Sequence, residues 1–158
     1  MKTRELQTIW WDWLGTSERL LRSLHEQTAA LTLRDVARVE RIQPELDALL
    51  ERLREVDDSA AACAAMLAEE LGTEPNVRSL ARALDQAEAQ QVQALANRVI
   101  VAARNVQNVL DRNRALLESE LTYVNGTLTL IAKAATGTQG PFQGAAPKAG
   151  AVVMDQAA

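Results

Sequence analysis

At 158 residues the chain is one domain's worth of polypeptide, or a domain with a tail. Hydrophobic residues make up 47% of it and aromatics only 3%, a mixture that suits the thin seams of a helical bundle better than a sheet. A net charge of −4 argues against a nucleic-acid binder, which needs a basic face to displace counterions.

The single cysteine, Cys63, excludes an intrachain disulfide and a thiolate metal cluster. No apolar run approaches the roughly 18 residues of a membrane-spanning helix. Glu5 and Asp12 interrupt any signal-peptide core at the N-terminus. The expectation is a soluble, cytoplasmic protein without membrane insertion.

Residues 4–28 repeat Leu6, Trp10, Trp13, Leu20 and Leu24 at helical spacing, which predicts a first helix. Trp10 and Trp13 share its apolar face. Trp11 points about 100° away, where packing against a neighbouring helix end is expected, with exposure as the other reading. Gly15 marks a site where this helix can bend.

A second helix is predicted over 33–71, opened by the start signal Thr32-Leu33-Arg34-Asp35. Val39, Ile42, Leu46, Leu49, Leu53, Val56, Ala60, Cys63 and Leu67 alternate steps of three and four, the pattern of a heptad seam. Pro44 removes a backbone donor inside this stretch, yet the seam keeps its register on both sides, so a kink is expected and not a break. Gly72 supplies a stop, and Thr73-Glu74-Pro75 a start with proline in the first turn.

A third helix is predicted over 74–133. Its first stripe is Val77, Leu80, Leu84, Val92, Leu95, Val99, Ala102, Val106 and Val109; near Asn113 the register shifts to Leu110, Leu117, Leu121, Val124, Leu128 and Ile131. Asn105, Asn108 and Asn113 read as polar residues at the seam edge. Residues 32–75 carry a net charge of −6 (five basic, eleven acidic) and residues 76–133 a net +2 (seven basic, five acidic), which favours antiparallel pairing. Residues 134–158 hold Gly137, Gly140, Gly144, Gly150, Pro141 and Pro147 around one aromatic, Phe142, the composition of a flexible, disordered tail.

No catalytic constellation emerges, and no cofactor is called for. His25 is the only histidine, which removes any metal site built on two. A Cys–His pair would need Cys63, a seam residue, to meet His25. A phosphorelay histidine typically has Lys and Gly soon after it, whereas His25 is followed by Glu-Gln-Thr-Ala.

The fold class expected is all-α: an elongated antiparallel three-helix bundle or coiled coil over 1–133, with a tail over 134–158. At about 1.5 Å per residue the three helices measure about 37, 60 and 90 Å. The second, running back along the third, accounts for it only to about residue 115. The stripe of Leu116, Leu117, Leu121, Val124, Leu128 and Ile131 is then left uncovered, as a partner site or a self-association face.

The stretch Asn105 to Ile131, NVQNVLDRNRALLESELTYVNGTLTLI, resembles the C-terminal helix of the FlgN-type flagellar export chaperones, which escort hook–filament junction proteins. That helix typically reads Leu-Asn-x-x-Asn-Gly-x-Leu-Leu-Glu. Asn113, Leu116, Leu117 and Glu118 match it; Leu110 and Arg114 depart from it, standing where the family often has Asn and Gly. The resemblance implies a type III export chaperone that binds the C-terminal helix of hook-associated junction proteins through Asn113, Leu116, Leu117, Leu121, Val124, Leu128 and Ile131. It also implies docking to the cytoplasmic domain of the export gate, with Phe142 in the place of a Tyr-Gly element. The alternative is a structural or signalling coiled coil that self-associates through its third helix.

Overall fold

A computed structural model describes residues 2–136. Among them the regular elements are all helices: α1 (Arg4–Thr32), α2 (Val36–Leu71), α3 (Val77–Ala83) and α4 (Gln86–Thr136). The all-α expectation holds. The expected third helix, however, is two, and the reason is local. Leu84 is extended (φ −96°, ψ 161°), and Asp85 then caps a new helix by accepting from the Glu88 N–H at 2.8 Å. The start expected at Glu74 moves to Val77, because Asn76 takes the cap and accepts from the Ser79 N–H at 2.8 Å.

The turn between α1 and α2 also differs from expectation. α1 runs on to Thr32, whose hydroxyl bonds the Thr28 carbonyl and caps nothing. Asp35 is the cap of α2, accepting from the Arg38 N–H at 3.1 Å. Between them Asp35 N–H donates to the Ala30 carbonyl at 2.9 Å and Arg34 N–H to Leu31 at 3.2 Å. Those bonds make a Schellman turn, with Arg34 (φ 56°) in the left-handed conformation that usually selects glycine. α2 ends on the same turn built conventionally: Gly72 (φ 68°), with Thr73 N–H to Ala68 and Gly72 N–H to Glu69.

Pro44 lies inside a continuous α2, and both it and Glu40, whose carbonyl it leaves without an intrahelical donor, are exposed to water. Gly15 likewise sits within an uninterrupted α1.

The chain divides into two compact units inside α4, the first ending at Leu110 and the second beginning at Asp111. In the first unit, Leu20, Leu24 and Ala30 of α1 pack with Ile42 and Leu46 of α2 and Val106 of α4. Leu6, near the start of α1, packs instead with Ala60, Leu67 and Ala68 late in α2 and with Leu80 of α3. α2 therefore runs antiparallel to α1. The seam expected in α2 is the observed inward face, every one of its nine residues being buried or half-buried.

Within the first unit, α4 up to Leu110 returns parallel to α1. The buried Glu88 carboxylate in its first turn accepts from the Thr3 N–H (2.8 Å) and the Thr3 hydroxyl (2.7 Å), tying the two helix starts together. Further along, Arg98 stacks over the Trp11 ring at 4.9 Å. Trp13 is buried and Trp10 half-buried, as their shared face requires, whereas Trp11 is 51% exposed and lies against the first few turns of α4, near the start of that helix.

Candidate partner-binding helix

The second unit begins at Asp111, and its described residues, 111–136, all belong to α4. Asn113 is buried. Leu116 and Leu121 are half-buried, while Leu117, Val124, Leu128 and Ile131 are 39%, 48%, 57% and 58% exposed. Exposure therefore rises toward the C-terminal end of the helix.

At about 100° per residue, Leu117, Leu121, Val124, Leu128 and Ile131 fall within about 80° of one another, with Asn113 in the same sector. Leu116 does not join them. It lies about 100° round the helix, in line with Tyr123 and Leu130 at intervals of seven. Those two are 55% and 68% exposed, and the sequence reading left them out. The repeat Leu116–Tyr123–Leu130 was the signal that could have found them.

The surface is apolar and nearly uncharged. Leu121 to Ala132 contains no Asp, Glu, Lys or Arg. Its threonines bond their own helix: Thr127 Oγ1 donates to the Tyr123 carbonyl at 3.0 Å and Thr129 Oγ1 to Asn125 at 2.9 Å. Such a face can bury hydrocarbon against a partner. Phe142 lies outside the described residues.

In the first unit, α1 and α4 flank an open cleft of about 430 Å³ lined by Leu14, Glu18, Leu21, Arg98 and Val101. His25 is exposed and Cys63 half-buried. Burial, and after it the charge of Glu5, push the Cys63 thiol above its ordinary value. Among the described residues no group of three or more His, Cys, Asp or Glu could hold a metal ion. No helix among them is long and apolar enough to cross a membrane.

No curated protein and no solved structure matches the chain. A family model, that of the FlgN protein, matches residues 1–140, a span that takes in all four helices. The chain belongs to the FlgN family of flagellar export chaperones.

Proposed function

We propose that the C-terminal part of α4 binds the C-terminal helices of hook-associated junction proteins in the cytoplasm and keeps them from aggregating before export. The supporting observation is the exposure of Leu117, Val124, Leu128 and Ile131 along one sector of a helix. Hydrocarbon at that spacing matches the face of an amphipathic client helix, the helix-in-groove mode of recognition. Binding of this kind calls for no cofactor and no nucleotide. Phe142 is the proposed contact to the cytoplasmic domain of the export gate.

The test is calorimetric titration of the full chain with purified C-terminal segments of junction proteins. Leu117→Gln/Leu121→Gln should weaken binding by about tenfold or more, since each leucine loses burial worth about 1.5–3 kcal/mol. Loss of self-association in that variant, with client affinity unchanged, would point to the coiled-coil alternative. Phe142→Ala should lower gate binding and leave client binding intact.

A further inference from the structure

We infer that the client covers α4 with two helices, not one, so that α4 beyond Asp111 becomes one member of a three-helix bundle in the complex. The inference rests on the proposed client-binding role and concerns what the client must present.

The width of the exposed apolar surface carries it. The sector of Leu117, Leu121, Val124, Leu128 and Ile131 is the width of a single helix–helix seam, about 80°. Leu116, Tyr123 and Leu130 extend the apolar arc to about 180°. Tyr123 and Leu130 are as exposed as the best-exposed members of the first sector, at 55% and 68%. Between the two sectors stand Glu120 and Thr127. Thr127 turns its hydroxyl onto the Tyr123 carbonyl, so it does not interrupt the apolar surface as a free hydroxyl would.

The same helix supplies its own calibration. In the first unit the buried and half-buried residues of α4, from Ala89 on one side to Val109 on the other, span about 160°. The cluster around Val106, Val109 and Leu110 draws on both α1 and α2. An arc of that width is thus closed by two helices, and the wider arc beyond Asp111 has the same requirement. Leu121 to Ala132 carries no charged side chain, so both client helices meet that stretch with apolar faces, and Glu120, at the junction of the two sectors, is the one acidic group they flank.

The experiment compares Leu128→Gln/Ile131→Gln with Tyr123→Gln/Leu130→Gln in the full chain. Affinity for purified junction-protein C-terminal segments is read by calorimetry and the mass of the complex by light scattering. The expected result is a loss of about tenfold or more for each pair, with one client chain per chaperone chain. Loss for the Leu128/Ile131 pair alone would leave the client reading standing and overturn the second helix. Loss for the Tyr123/Leu130 pair alone would also overturn two-sided cover. No loss for either pair, with those of Leu117 and Leu121 equally silent, would remove the client reading itself. A complex holding two chaperone chains would assign the second sector to a copy of this protein and overturn the inference.

Discussion

Thr16→Val should stabilise the first unit. Thr16 is 0% exposed, and its hydroxyl finds no hydrogen-bond partner among the described residues. Trp13 Nε1 and Ser23 Oγ are in the same condition on the same side of α1. A hydroxyl desolvated without a partner costs roughly 1–3 kcal/mol. Valine keeps the shape of threonine, puts a methyl where the hydroxyl was, and has about the same helix propensity. Only the desolvation cost changes, so the unit should gain at least about 1 kcal/mol, or about 4 °C or more in thermal midpoint for a unit of this size. Urea and thermal melts of the two proteins measure it. Thr8 is the control: its hydroxyl bonds the Arg4 carbonyl at 2.9 Å on an exposed position, and Thr8→Val should change stability by no more than about 0.5 kcal/mol. A Thr16→Val protein that melts at or below the parent temperature refutes the assignment of an unpaired hydroxyl.

Two further perturbations test the turns and the thiol. Arg34→Gly should raise stability by about 1 kcal/mol and Gly72→Ala should lower it by about as much, since both positions hold the left-handed conformation (φ 56° and 68°) and glycine occupies only one; equal signs in a urea melt would contradict the shared turn. A Cys63 thiol held above its ordinary 9.0 means that the folded chain keeps that proton more tightly than the unfolded one. Its stabilising contribution is complete below about pH 9 and is lost as pH rises through the folded value. Stability should therefore fall more steeply above pH 9 for the parent than for Cys63→Ala, and parallel profiles would discard the shift. Thiol labelling of the native protein near pH 7 should be slow and should quicken on unfolding.

What could be read from sequence followed how local its cause is. The α2 seam was legible because nine residues repeat a spacing that only a helix with one covered side satisfies. Helix ends were less so. Thr32 and Asp35 are both competent caps, and the choice between them depends on Arg34 adopting a conformation that its side chain disfavours. The break at Leu84 hid for a related reason: Leu80, Leu84 and Val92 fit a continuous stripe, and a single Asp at position 85 outweighs that pattern by satisfying an N–H of the new first turn. The polar inward face of α1, with Thr16, Ser17, Ser23 and Gln27 all buried, could not be read from hydrophobic periodicity at all.

α4 shows why a binding face and a core face look alike in sequence. The register shift expected near Asn113 largely dissolves at 100° per residue. Val92, Leu95, Val99, Val106, Leu110, Asn113, Leu117, Val124 and Ile131 all fall in a sector about 60° wide. Steps of four follow one another at Ala102–Val106–Leu110 and again at Asn113–Leu117–Leu121. Such doubled steps bring the repeat closer to 3.6 and hold the stripe straight along the helix, where a strict heptad would drift by about 20° per repeat. Residue type and spacing are therefore the same at Val92 and Val106, both buried, as at Val124 and Ile131, both about half exposed. What differs is the supply of covering helix, and chain length is the only sequence-level quantity that speaks to it.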